Sequence, residues 1–160
     1  MKKIKKALIS VSDKKNLKKL LKILAKNKIE IISSGGTYKE IKKLKFKCLE
    51  ISDYTGSPEI LGGRVKTLHP KIHAGILSKR NNKSHKNDMN NNKFEEIDLV
   101  VVNFYPFEKT LEQTHNHLKI IENIDVGGPT MVRAAAKNYN DVAVITSSNQ
   151  YNELIDEMEK

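Results

Sequence analysis

Apolar positions along this chain switch repeatedly between two spacings. Ala7 to Val11 is a short apolar run (Ala-Leu-Ile-Ser-Val) closed by Ser12 and Asp13, after which apolar side chains recur at Leu17, Leu20, Leu21 and Leu24. The first pattern predicts a buried strand, the second an amphipathic helix, with a turn between them. The unit repeats: Ile29 to Ile32 is a second β-branched run, closed by Ser34-Gly35-Gly36-Thr37, and Ile41 with Leu44 supports a short helix after it. Lys47 to Ile51 reads as a third strand. Ile97 to Phe104 is the most hydrophobic stretch, as expected of a parallel strand covered on both faces, and so predicts a strand in the middle of the sheet. Gly127-Gly128-Pro129 precedes Met131 to Lys137, where Ala and Met favour helix and proline is tolerated in the first turn. Asp141 to Thr146 supplies the last strand, and Tyr151, Leu154, Ile155 and Met158 have helical spacing.

This alternation predicts an α/β three-layer sandwich built on a mainly parallel, doubly wound sheet, with its strand ends gathered on one rim. Ligands belong at that rim. Lys79 to Lys93, rich in Asn and Lys, reads as a mobile surface loop or a short polar helix and is assigned no chemistry. The final helical pattern runs to Lys160 without a capping signal, so the chain is expected to be cut from something longer.

Length and composition narrow the picture. The 160 residues suit one domain, which at this size buries about two-thirds of its unfolded surface. The single Cys48 has no internal disulfide partner, and neither a signal-peptide pattern nor a bilayer-length apolar run is present, so a reducing, cytoplasmic setting without membrane association is expected. A formal net charge of +10 raises the question of nucleic acid. Only Arg64, Arg80 and Arg133 are arginines, however, leaving 26 of the 29 basic residues as lysine, whereas base readout and bidentate phosphate contacts favour the guanidinium. The excess reads as a solvated surface, and no nucleic-acid partner is expected.

Four polar clusters follow predicted strands. Ser10-Val11-Ser12-Asp13-Lys14 brings hydroxyls and an ammonium to a strand-to-helix turn, and Ser34-Gly35-Gly36-Thr37 adds glycines that let backbone N–H groups approach an anion. Together they resemble a monophosphate cradle, although Ser and Asp also cap helices and Gly-Gly also marks turns. Gly63-Arg64-Val65-Lys66-Thr67-Leu68-His69-Pro70 suits an anionic substrate or a solvated basic turn. His69 and His73 lack companions at metal-ligand spacing, so no metal is expected. The fourth cluster joins Asn103-Phe104-Tyr105-Pro106-Phe107 with Asp125, Arg133 and Lys137, where acid, base and phenol can converge.

These blocks, together with Ile124 to Asn138, occur in the order and approximate spacing of the inosine monophosphate (IMP) cyclohydrolase family. Gly-Arg-Val-Lys-Thr-Leu-His-Pro and Asp-Val-Gly-Gly-Pro-Thr-Met-Val-Arg-Ala-Ala-Ala-Lys-Asn are close to a signature of it, and the resemblance covers nearly the whole chain. It implies a methylglyoxal-synthase-like fold and closure of 5-formamidoimidazole-4-carboxamide ribotide (FAICAR) to IMP with loss of water. No cofactor is implied for that step. The resemblance also implies a homodimer and a parent protein that is bifunctional in purine biosynthesis, with a folate-dependent AICAR transformylase half using 10-formyltetrahydrofolate. Residues 1–160 are then expected to be a cyclohydrolase domain truncated at its C-terminal end, which by itself transfers no formyl groups.

Carried over residue by residue, the resemblance puts the 5′-phosphate on Ser12, Lys14, Ser34, Gly35, Gly36 and Thr37. It places Arg64, Lys66 and Thr67 at the base and its reacting groups, with Asn103 and Tyr105 nearby, and adds Ser10, Asp13, Val65, Val102, Val126 and Gly127 to the nucleotide contacts. Lys66, Tyr105, Asp125 and Lys137 are the implied catalytic set: Lys66 beside the developing oxyanion, Asp125 taking the carboxamide proton, Lys137 shuttling a proton or holding Asp125 ionised. The clearest departure is Lys15-Asn16, where the family more often has Thr-Gly, which puts the conformation of that turn in question. Two rivals share the cradle: nucleotide-binding allosteric domains of carbamoyl-phosphate synthetases, which catalyse nothing, and methylglyoxal synthase. Neither is expected to carry the set Lys66, Tyr105, Asp125 and Lys137 within these blocks.

Overall fold

Five short strands, all parallel, form the centre of the molecule. The computed structural model describes residues 3–160. The strands are β1 (Lys6–Val11), β2 (Glu30–Ser33), β3 (Leu49–Glu50), β4 (Leu99–Asn103) and β5 (Ala143–Ile145), in the order β3-β2-β1-β4-β5. The apolar run over 97–104 is an interior strand as its composition requires, but β1 takes the middle place and β4 lies beside it. The third and last strands are shorter than the apolar patterns around them, consistent with their edge positions.

Side-chain alternation sorts the strands onto two faces. Ala7, Ile9 and Val11 of β1, Ile31 of β2, and Leu99 and Val101 of β4 point into one apolar layer. That layer is closed by α1 (Leu17–Lys26), Ile41 of α2 (Gly35–Lys43), and Tyr151, Leu154 and Ile155 of α9 (Tyr151–Glu159). Leu8, Ile32, Val100 and Val102 point the other way, against Ile51 and Tyr54 of α3 (Ile51–Thr55), Ile72 and Ile76 of α4 (Pro70–Leu77), and Met131, Ala134 and Ala135 of α8 (Gly127–Lys137). The result is the three-layer, doubly wound arrangement that the alternating pattern predicts.

Segment 79–93 resolves into a polar helix, α5 (Lys83–Asn91), with Asn82 capping it through the His85 N–H and Met89 as its one buried side chain. Two further short helices, α6 (Phe107–Gln113) and α7 (His117–Glu122), bury no residue. No helix of the described residues is long and apolar enough to cross a membrane.

Two backbone constraints explain residue choices. Asn16, where the family pattern has Gly, takes the left-handed conformation (φ 59°) at the start of α1, a geometry that Asn tolerates better than most residues. In α4, Gly75 lets the helix lie against the backbone entering β4: a Cβ there would stand 2.7 Å from the Glu95 carbonyl, and the Ile97 N–H donates to the Gly75 carbonyl at 3.0 Å. Two residues earlier, the His73 ring hydrogen-bonds to the Thr67 backbone while its Nε2 is buried without a partner. Burial pulls the His73 pKa below its usual value, against the opposing effect of that hydrogen bond.

Replacing Gly75 with Ala is expected to lower stability by about 1–3 kcal/mol in urea unfolding, because the clash outweighs the gain in helix propensity. An unchanged midpoint would contradict this packing. For His73 the depressed folded-state pKa means that the unfolded chain binds the proton first. Its contribution is therefore intact above the ordinary histidine range and is lost as pH falls through the folded pKa. The variant His73→Gln should lose less stability between about pH 7 and pH 5 than the parent protein, as read from melting temperature against pH.

Candidate active site

The chain leaves β1 toward β2 and β3 on one side, and later returns to β4 and β5 on the other. The crevice between the C-terminal ends of β1 and β4 is therefore the switch point where an open α/β sheet accepts ligands. Asn103, the last residue of β4, organises it. Its Oδ1 accepts from the Ser12 and Asp13 N–H groups at 2.6 and 2.9 Å, and its Nδ2 donates to the Asp13 carbonyl at 2.9 Å. The β1 turn is thus clamped by a side chain some 90 residues away in sequence. Lys14 folds back onto the same turn, its Nζ donating to the carbonyls of Val11 and Ser12 at 3.1 and 3.0 Å.

Beside this turn lies the N-terminus of α2. Thr37 is buried there and exchanges hydrogen bonds with the Val11 backbone, accepting from the N–H at 3.0 Å and donating to the carbonyl at 2.9 Å. The Thr37 hydroxyl is therefore committed to holding α2 against β1. Ser34 flanks the helix without capping it through its side chain. The first-turn residues Gly35, Gly36 and Thr37 of α2, whose N–H groups a helix cannot satisfy internally, line the same crevice. An anion is favoured at such a position by those donors and by the helix dipole.

The loop over 61–69 runs across the crevice and touches two different elements through adjacent residues. The Lys66 Nζ stands 3.2 Å from the point that a Cβ on Gly35 would occupy, so the ammonium sits against the first residue of α2. A Cβ on Gly127, the first residue of α8, would collide with Oγ1 of the buried Thr67. A Cβ on Gly128 would in turn collide with the Asp125 carboxylate, whose Oδ1 accepts from the Gly128 N–H at 2.8 Å. The Gly-Gly pair that opens α8 thus does more than begin a helix. Its first glycine admits Thr67, and its second lets Asp125 cap the helix while leaving Oδ2 without that bond.

Together these segments line a cavity of about 660 Å³, within the range of small-molecule sites. Ser10, Ser12, Lys14, Ser34, Gly35, Gly36, Thr37, Arg64, Lys66, Thr67, Asn103, Tyr105, Asp125, Val126 and Gly127 all line it. Tyr105 does so while 54% exposed. Four of the residues that the resemblance places at the nucleotide or in the catalytic set do not line it. Asp13 faces a neighbouring surface depression with Lys109 and Ser147. Val65 is only half-buried on the loop, and Val102 sends its side chain into the core below. Lys137 requires a correction of its implied pairing: it is exposed at the last position of α8, about 15 Å along the helix axis from the first turn that Asp125 caps. A lysine side chain is too short to span that gap, so one chain does not bring Lys137 onto Asp125.

Two carboxylates emerge that the sequence motifs do not single out. Glu59 pairs with Lys66 at 3.0 Å, and Glu122, at the end of α7, pairs with Arg64 on the cavity wall. The only signal for either is an acidic residue near the basic loop, because the first lies in an irregular segment and the second arrives from a distant helix. Ile121 and Ile124 add apolar wall beside Glu122, and Met131 lines the α8 side.

Comparison with known proteins agrees with this fold. A model of the MGS-like domain matches residues 16–130. The bifunctional purine biosynthesis protein PurH of Prochlorococcus marinus (strain MIT 9301) is 53% identical over 155 residues, covering 96% of this chain and 30% of that protein. PurH of Clostridium acetobutylicum is 51% identical over 157 residues, covering 98% of this chain and 32% of its own length. This chain therefore spans about a third of those relatives. A crystal structure of ForH superposes with a TM-score of 0.85 at 31% identity, covering 98% of this chain and 80% of that one. With its parallel sheet, its rim cavity and these matches in accord, the chain belongs to the MGS-like domain family.

Proposed function

We propose that the rim cavity binds a purine ribonucleotide 5′-monophosphate and closes the second ring of FAICAR to give IMP, a step of purine biosynthesis. The observation that carries this reading is that one short loop places Lys66 against the anion-binding end of α2 and Thr67 against the Asp125-bearing start of α8. The PurH relatives, named for purine biosynthesis, support the same substrate class.

The chemistry makes three demands. The carboxamide nitrogen must attack the formyl carbon, forming the new N–C bond. The formyl oxygen must then leave as water, taking one proton that began on the carboxamide nitrogen and one that began on the formamido nitrogen. A carboxamide nitrogen is a weak nucleophile, so the site must also hold it against the carbon, accept its proton and stabilise the charge that develops on oxygen.

In this reading the phosphate lies on the N-terminal N–H groups of α2 with the Ser34 and Ser12 hydroxyls, and Lys14 and Lys66 supply positive charge there and toward the ring. Asp125 is the base: its Oδ1 is fixed by Gly128, which orients Oδ2 to take the carboxamide proton. Lys66 and Thr67 face the formyl oxygen, Arg64 holds the wall with Glu122, and Tyr105 closes the open side of the cavity. No cofactor enters the step. Lys137 is given no contact with Asp125, since α8 separates them.

That separation favours a second reading, a domain that binds a nucleotide without turning it over. The two are distinguished by measuring FAICAR conversion and IMP binding on the same protein. If the first reading holds, Lys66→Ala and Asp125→Ala each lower kcat by about 100-fold or more, while the affinity for IMP changes far less. Undiminished turnover in both variants would remove these assignments. IMP binding without any turnover by the parent chain would favour the second reading.

A further inference from the structure

Glu59 is tied to the candidate site without belonging to its wall. Its Oε1 lies 3.0 Å from the Lys66 Nζ, and it is absent from the residues that line the cavity, whereas Lys66 is among them. The ammonium occupies a narrow gap. It is 3.2 Å from where a Cβ on Gly35 would be and 3.0 Å from where one on Gly63 would be, and a Cβ on Gly63 would also collide with Glu59 Oε1. Both glycines have left-handed backbone, φ +54° and +90°, a conformation that disfavours any side chain there. Two glycines and one carboxylate thus define a seat for a single charge.

We propose that Glu59 is a positioning residue that seats the Lys66 ammonium between Gly35 and Gly63, facing the cavity, an inference that rests on the role given to Lys66 above. A lysine ends in a compact charge on four flexible carbons and, left alone, samples a wide volume. Electrostatic stabilisation of a reacting group depends on charge held in place before the reaction begins. Glu59 supplies that restraint from behind, where it does not touch the ligand space. The pair is partly open to solvent, with Glu59 46% and Lys66 26% exposed, and such pairs contribute little to stability. Its effect is therefore on geometry, and removing it should leave the fold intact.

Two measurements test this. The Lys66 ammonium, held in its ion pair, should give a 1H–15N correlation that disappears in Glu59→Gln. An ammonium exchanging as freely in the parent protein as in that variant overturns the proposal whether or not the chain turns over. In FAICAR conversion, Glu59→Gln should lower kcat about 10-fold with KM changed less than about 3-fold and the melting temperature unmoved, and Glu59→Asp should recover part of the loss. Added to Lys66→Ala, Glu59→Gln should cost nothing further. Full turnover in Glu59→Gln beside an impaired Lys66→Ala, or the same 10-fold loss in both backgrounds, overturns the role of Glu59 and leaves that of Lys66 standing. Full turnover in Lys66→Ala instead removes the role of the lysine itself.

Discussion

The three hydrogen bonds of Asn103 decide where the cavity can form. At the end of a parallel strand the backbone loses its ladder partners, and a turn carried there must find others or spend them on water. By accepting two N–H groups and donating to one carbonyl of the Ser12–Asp13 turn, the Asn103 amide ties the end of β4 to the exit of β1. This holds open the crevice that the strand order creates between them. The α2 terminus, secured by Thr37, and the loop carrying Lys66 are then placed relative to a fixed edge.

Close approach is the second constraint, and glycine is how the chain meets it. Gly35 and Gly63 leave room for an ammonium, Gly127 for a threonine hydroxyl, and Gly128 for a carboxylate. Two of these contacts, Gly35 with Lys66 and Gly127 with Thr67, join segments distant in sequence, whereas Gly63 with Lys66 and Gly128 with Asp125 are local, so the same residue type serves both tertiary approach and turn geometry. Gly36 shows the contrast: a Cβ there would meet nothing within 4 Å, and its use lies in baring a helix N-terminus.

Charge follows the same logic. The net charge of +10 is spread over a lysine-rich surface, yet the two cations of the crossing loop are each matched by a carboxylate, Lys66 by Glu59 and Arg64 by Glu122. These pairs restrain long side chains at a partly open rim, where the net Coulomb gain is small and the value of a defined position is large.

Although α3, α4, α6 and α7 were not legible in the sequence, the succession of five strands, the burial of Leu99 to Val102 on both faces, and the placing of polar clusters after strands were. Each follows from local periodicity and from the chemistry of turns, which neighbours in the chain determine between themselves. Most of the cavity wall was legible too, from Ser10, Ser12 and Lys14 to Asp125 and Gly127, because its residues sit in compact polar blocks. What required the tertiary structure was the distance between groups on different elements. Only the fold makes β1 the middle strand, commits the Thr37 hydroxyl to β1, brings Glu59 to Lys66, and seats Thr67 against Gly127. Only the fold, too, sets Lys137 a full helix length from Asp125: position in sequence counts residues along α8, whereas contact depends on 1.5 Å of rise for each of them.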